Sequence, residues 1–189
     1  NSRSKVFGHW AKALGYLTKG EMALVKKESQ KSIEVAVDPF FSQFSNTTLG
    51  ISYLLNGQLN EAEDSFRLLL NFGKKHGVGF FTQISNLYLS FIRYAKGDMR
   101  RGFNGIKASQ EVFLKNHVKV WYVTSESMLG LLYTRFITGP SPKLSIVVKN
   151  IWFIGIHAIS SDKKATVCFE NALKFSQEIG AKFYVGQGV

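Results

Sequence analysis

Histidine and cysteine are the residue types in this sequence that most often bind metals or carry catalysis. The four histidines show neither the His-x3-His nor the His-Glu-x-x-His spacing that sets two metal ligands on one helix face. They are His9, His76, His117 and His157. The single cysteine, Cys168, excludes an intrachain disulfide and a zinc site built from several cysteines. Because no cation is arranged to lower its pKa, we interpret Cys168 as a structural thiol.

Glycine-rich loops that cradle phosphates are the second kind of chemical site to consider. Gly15 and Gly20 have the outer spacing of a phosphate-binding loop, but Glu21 stands where a lysine must reach the phosphates. The glycines between 73 and 79 match no dinucleotide-binding fingerprint, and the Gly-x-Ser-x-Gly motif of hydrolases is absent. The sequence therefore predicts no catalytic residue, no metal, no cofactor and no enzyme activity.

The composition restricts the class of protein. With 189 residues and 45% hydrophobic side chains, the chain can bury a core in one domain or two small ones. This excludes a wholly disordered chain and a minimal disulfide scaffold. Three prolines against 14% aromatic residues favour long helices. The net charge of +11, from 24 Lys and Arg against 13 Asp and Glu, favours anionic partners.

One apolar window, 144–159, is where a membrane-spanning segment would be expected. Lys149, Asn150 and His157 interrupt this window, and it is shorter than the roughly 20 apolar residues that a span requires. We therefore predict a buried helix here and no membrane span. The sequence opens with Asn-Ser-Arg-Ser and no apolar stretch follows, so we expect no secretory signal and a cytoplasmic protein.

The elements that must position any binding site are repeated helix pairs. The clearest unit begins at Leu49 and has the spacing L-G-x2-Y-x3-G-x4-A-x3-F-x2-L. Partial copies start near Ala13, Leu89 and Leu129, and the second half of the last copy reappears at Ala165. The turn glycines of the first three copies follow one another at nearly even intervals, at Gly20, Gly57 and Gly97.

Each position in this unit has a structural reason. A glycine on the first helix lets the second helix approach, and a phenylalanine on the second helix fills the space. The turn glycine adopts the positive φ that ends a helix. Arg93 stands at the aromatic position of the third copy, so we expect that pair to pack differently. The periodicity predicts nine helices, at 5–19, 21–36, 40–56, 59–76, 78–96, 98–116, 118–138, 143–159 and 162–179.

These units resemble tetratricopeptide repeats, which are helix pairs with a usual period of about 34 residues. The resemblance implies an all-α fold, a right-handed superhelical solenoid of about four antiparallel helix pairs. We expect a single repeat domain over 1–189, with an inserted apolar helix near 143–159 after the break at 139–142.

The last part of the chain resembles a more specific family. It is similar to the C-terminal helical region of bacterial multidomain proteins that join a nucleotide-cyclase domain, a signalling-type ATPase and a repeat array. The resemblance rests on Pro142-Lys-Leu-Ser-Ile-Val-Val-Lys-Asn-Ile-Trp-Phe, Asp162-Lys-Lys-Ala and Phe169-Glu-Asn-Ala-Leu-Lys-Phe. No cyclase or ATPase portion is present, so the resemblance implies a regulatory arm and neither activity. It also implies an array that continues past Val189, and we expect its uncapped end to allow a homodimer.

A repeat array is a binding surface, because its first helices line a concave groove. In this register, we predict that a partner contacts Trp10, Phe91, Tyr94 and Arg135, since aromatic residues and arginine dominate binding hot spots. Such a groove suits a helix or an extended segment of a protein partner. The predicted function is therefore protein–protein interaction or signal sensing without catalysis.

Two alternatives come from other classes. The charge of +11 favours a nucleic-acid-associated regulator, but its lysine and arginine clusters fall at separate helix ends, so scattered solvating charge is the favoured interpretation. These clusters are Lys26-Lys27 with Lys31, Lys74-Lys75-His76, Arg100-Arg101, Lys115 with Lys119, and Lys163-Lys164. The second alternative is a small-molecule sensor with a pocket around Trp152 and His157, where we interpret His157 as a hydrogen-bonded core residue.

Overall fold

The structure is a computed structural model that describes residues 2–138 and 143–180. Within these ranges the chain forms helices and turns, and no residue lies in a β-strand. The nine helices of this part of the chain are α1 (Ser2–Thr18), α2 (Met22–Glu34), α3 (Pro39–Leu55), α4 (Leu59–Lys75), α5 (Gly79–Ala95), α6 (Met99–Lys115), α7 (Lys119–Thr138), α8 (Leu144–Ala158) and α9 (Ser161–Glu178). The predicted break at 139–142 and the end of the array beyond 180 lie outside the described residues.

The predicted all-α class is confirmed for the described residues, and consecutive helices pack against each other. Most helix limits lie close to the predicted ones, because local signals set them. At the start of α3, for example, the Asp38 side chain accepts a hydrogen bond from the Phe40 N–H (2.9 Å), and Pro39 occupies the first turn. The right-handed superhelix stays a prediction.

The helices from α3 to α6 begin at regular intervals along the chain. All four have the same length, and they begin at evenly spaced positions, Pro39, Leu59, Gly79 and Met99, with α7 beginning at Lys119 in the same register. A residue of positive φ follows each of these four helices: Gly57, Gly77, Gly97 and His117. The glycine pattern alone missed the turn at His117, where a side-chain-bearing residue adopts the left-handed conformation (φ 57°).

The chain divides into two compact units, Asn1–Ser85 and Asn86–Val189, and the boundary falls within α5. In the first unit α1 packs against α2 and α3, and α3 also packs against α2 and α4. Small residues line these contacts. Ser32 Oγ donates to the Val6 carbonyl (2.9 Å), and Ser45 Oγ donates to Ser32 Oγ (2.7 Å). The prediction of a single domain over 1–189 stays a prediction.

Two helix pairs show the predicted seam of glycine against phenylalanine. A Cβ added at Gly50 of α3 would lie 3.0 Å from the Phe66 ring of α4. A Cβ added at Gly130 of α7 would lie 2.7 Å from the Phe169 ring of α9. In both pairs the phenylalanine ring therefore fills the space that a side chain at the glycine position would occupy.

The third pair packs differently, as Arg93 led us to expect. The closest contacts between its two helices, α5 and α6, occur at glycines of α6. A Cβ added at Gly102 would lie 2.5 Å from the backbone nitrogen of Tyr94, and one added at Gly105 would overlap Ser90 Oγ. The backbone of α6 thus lies directly against α5.

In the second unit α7 packs against α6 and α9, and α8 packs against α6 and α7. The helix predicted near 143–159 is present as α8, but the prediction that it is buried is wrong. Its buried residues are Asn150 and Phe153, whereas Trp152 is 84% exposed. An apolar composition on all sides did not reveal which side of the helix packs.

Candidate functional site

The first unit carries a connected set of aromatic side chains on α1 and α3. We call it the aromatic surface, and its members are Phe7, Trp10, Phe40, Phe41 and Phe44. Residues three or four apart on a helix lie on one face, so each helix contributes its own row of rings. The capped start at Asp38 and Pro39 places the three phenylalanines in the first two turns of α3.

The rings of the aromatic surface contact one another across the two helices. Phe7 lies 5.9 Å from Trp10 and 5.4 Å from Phe41 between ring centroids, and Trp10 lies 5.4 Å from Phe44. The buried Phe81 ring lies beneath, 5.3 Å from Phe44. Phe7 and Phe40 remain 38% and 37% exposed. The cluster thus has a packed base and an open apolar side.

Polar groups fix the orientation of this surface. The Trp10 Nε1–H donates to Thr48 Oγ1 (3.0 Å). The neighbouring His9 ring donates to Glu28 Oε2 (2.7 Å), and this hydrogen bond lowers the pKa of the Glu28 carboxyl. The Arg3 guanidinium lies 5.1 Å from the centroid of the Phe41 ring, within cation–π range. A ring held by such contacts loses little freedom when a partner binds it.

Of the four predicted contact residues, Trp10 belongs to the aromatic surface. Phe91, Tyr94 and Arg135 belong to the second unit, where Phe91 is half-buried and Arg135 is exposed. Tyr94 is 6% exposed and packs 6.4 Å from the Phe153 ring. Burial raises the pKa of Tyr94 to about 12, although the Arg135 charge opposes this shift.

The sequence reasoning missed the four phenylalanines of the aromatic surface. The available signal was the run Pro39-Phe-Phe-Ser-Gln-Phe, which puts rings at positions i, i+1 and i+4 directly after a helix cap. The partner row on α1, Phe7 and Trp10, has the spacing i, i+3. Their meeting depends on the packing of α1 against α3, which no local pattern encodes.

The second unit contains a cavity of about 340 Å³ between α6, α7 and α9. Its lining residues are Lys107, Gln110, Glu126, Leu129, Tyr133, Lys163, Lys164, Val167, Cys168 and Asn171. The buried Glu126 carboxylate accepts hydrogen bonds from Tyr122 OH (2.6 Å) and Asn171 Nδ2 (3.2 Å). Burial, helped by Glu126 and opposed by the Lys107 charge, raises the pKa of Cys168 to about 12, which favours the protonated thiol at neutral pH.

This cavity differs from the pocket predicted around Trp152 and His157, neither of which lines it. Three lysines and one carboxylate are among the residues that line it. His157 instead packs among rings, with centroids 4.3 Å from Phe153 and 4.6 Å from Phe103. Its Nδ1 has no hydrogen-bond partner within the described ranges, so the interpretation as a hydrogen-bonded residue is wrong for this atom.

The environment of His157 predicts a pH-dependent stability. Burial lowers the pKa of its imidazole below the ordinary value of 6.5, and the Lys164 and Lys107 charges act in the same direction. The unfolded chain therefore binds this proton more readily than the folded chain, so stability falls as the pH drops through 6.5 towards the folded pKa. We expect the parent to lose more stability than a His157→Phe variant between about pH 8 and about pH 5.

Urea denaturation of both proteins at each pH, followed by circular dichroism, measures this difference. The variant keeps a ring in contact with Phe153 and removes the titration. Parallel pH profiles of the two proteins would show that His157 titrates normally and would contradict the prediction.

The basic clusters are partly engaged with other groups of their own unit. Lys26 Nζ donates to Gln58 Oε1 (2.6 Å), and Arg101 pairs with Asp98 at 3.7 Å. Lys164 Nζ donates to the carbonyl of Ile159 (3.0 Å). These contacts agree with the interpretation of scattered solvating charge, and the nucleic-acid alternative stays a prediction.

Among the residues that the structure describes, no group of three or more His, Cys, Asp or Glu side chains could hold a metal ion. In the same residues no single helix has the length and apolarity to cross a membrane, although α8 and α9, bent by 71°, meet that test as a pair. No protein-family model, no curated protein and no solved structure matches this chain, so the tetratricopeptide resemblance stays a prediction.

Proposed function

We propose that this chain is a helical-repeat module without catalytic activity, and that it binds a protein or peptide partner through the aromatic surface of α1 and α3. The observation that supports this proposal is the ring cluster itself. Phe7 and Phe40 are each more than a third exposed while their neighbours hold them in place. Exposed aromatic residues in a well-packed cluster are the usual centre of a binding interface.

The kind of partner follows from the chemistry of the surface. Its rings present an apolar strip along α1 and α3, which suits apolar side chains at helical or extended spacing. Arg3, beside Phe41, adds a positive charge that favours an acidic residue in the partner. We further propose that this module is the regulatory arm of a cytoplasmic bacterial signalling protein, as the sequence resemblance implies. Reversible binding of the partner would then shift how the module docks onto an effector domain of that protein.

Peptide selection followed by affinity measurement tests the proposal. A displayed random-peptide library is selected on the 189-residue chain, and the selected peptides are synthesised with a fluorophore. We expect Trp10→Ala and Phe40→Ala each to raise the Kd by about tenfold or more in fluorescence polarisation, because truncating a hot spot costs about 2 kcal/mol or more.

Leu68→Ala is the matched control, since Leu68 of α4 is an exposed apolar residue outside the aromatic surface. It should leave the Kd unchanged. If every selected peptide binds all three variants as it binds the parent, the aromatic surface is not the binding site and the proposal fails.

A further inference from the structure

The outer side of α8 is apolar before and after a kink at Asn150, where the backbone leaves helical geometry (φ −118°, ψ 16°). Six apolar side chains, five in α8 and one at the residue that follows it, are between 60% and 84% exposed. We call them the α8 stripe, and they are Leu144, Val148, Ile151, Trp152, Ile156 and Ile159. Leu144 and Val148 before the kink, and Trp152 and Ile156 after it, have the four-residue spacing of one helix face. An exposed apolar stripe of this kind marks a surface that something else covers.

The packing of α8 holds the stripe outward. Asn150 Nδ2 donates to the Gly97 carbonyl (2.9 Å), and Asn150 Oδ1 accepts from the Met99 N–H (3.2 Å). Phe153 packs 5.4 Å from Phe103. Because these contacts secure the opposite face of the helix, α8 cannot rotate to bury the stripe without losing them. The exposure therefore belongs to the folded state.

The charged residues of the chain segment that carries the stripe all have one sign. No Asp or Glu occurs between Glu126 and Asp162, whereas this segment contains Arg135, Lys143 and Lys149. Lys143 and Lys149 are exposed, and the ammonium of Lys164 donates to the carbonyl of Ile159 at the end of the stripe. Cations thus lie at both ends of the stripe and in its middle.

We propose that the α8 stripe binds the surface of an anionic phospholipid bilayer. An apolar helix face with an exposed tryptophan and flanking lysines is the pattern that inserts between headgroups, and anionic lipids complement the lysines. A second copy of the chain fits less well, because it carries the same lysines along its stripe and so offers no complementary charge. The site is separate from the aromatic surface, so this inference does not depend on the proposed function.

Vesicle pelleting tests this inference with the 189-residue chain. We expect it to sediment with phosphatidylcholine vesicles that contain phosphatidylserine, and far less with pure phosphatidylcholine, with binding that falls as salt increases. The double variant Trp152→Ser/Ile156→Ser should bind at least about tenfold more weakly, since both side chains insert into the lipid. Lys149→Gln should weaken binding about fivefold, the effect of one charge at an anionic surface.

The matched control is Leu55→Ser/Leu68→Ser, which removes two side chains of similar exposure (61% and 63%) outside the stripe. It should bind vesicles like the parent. Two results would overturn the inference: no sedimentation with the phosphatidylserine vesicles, or an equal loss in both double variants. Sedimentation velocity without lipid can give a third contradicting result. If the parent is a dimer, Trp152→Ser/Ile156→Ser is a monomer, and the parent does not bind vesicles, then the stripe binds a second copy of the chain.

Discussion

Replacing Gly102 with alanine should lower the free energy of unfolding by about 3 kcal/mol or more, an unusually large effect for one added methyl group. The new Cβ would lie 2.5 Å from the backbone nitrogen of Tyr94 and 2.7 Å from the backbone oxygen of Ser90. Since both atoms belong to the α5 backbone, no side-chain rotation relieves the clash. The helices must separate, which loosens the buried contacts of Phe103 and Ile106.

In a helix interior without such a clash, replacing glycine with alanine raises the free energy of unfolding by about 1 kcal/mol. A decrease in Gly102→Ala would therefore report the clash with α5. Gly155→Ala is the control in the same unit, because nothing lies within 4 Å of its added Cβ. It should be neutral or slightly stabilising. Urea denaturation followed by circular dichroism measures both variants, and a Gly102→Ala protein as stable as the parent would contradict the close approach of α5 and α6.

Asn150→Ala should have the second largest effect, a loss of about 2–4 kcal/mol. The side chain is buried and satisfies the Gly97 carbonyl and the Met99 N–H, two backbone groups at the turn between α5 and α6. Alanine leaves both groups without these partners in a site closed to water, at a cost of about 1–3 kcal/mol each. The connection between α8 and this turn should therefore weaken.

Hydrogen exchange locates the effect as well as its size. We expect the amides of α8 to exchange faster in Asn150→Ala than in the parent, while those of α1 and α2 are unchanged. Trp152→Ala is the control, because that side chain is 84% exposed and its removal should change stability by less than about 0.5 kcal/mol. If Asn150→Ala left the exchange of α8 unaltered, the two hydrogen bonds would not hold this helix.

The limits of the helices could be read from the sequence because neighbouring residues set them. Asp38 and Pro39 start α3 through one side-chain hydrogen bond and a fixed φ, and Gly57 and Gly97 end their helices through a left-handed turn. The seam of Gly50 against Phe66 was likewise visible as a spacing. His117 was missed because a histidine there carries no turn signal of its own.

The amino-acid sequence by itself determined the all-α class of the described residues and the spacing of their helices, since these depend on patterns among near neighbours in the chain. The tertiary structure alone decided which sides of the helices pack. Polarity alone would bury Trp152 and expose Asn150, but the structure has the reverse. Asn150 is buried because it bonds to a turn that is distant in the sequence. The rings of α1 and α3 meet for the same reason: contacts between distant segments, rather than local preference, choose the packed face.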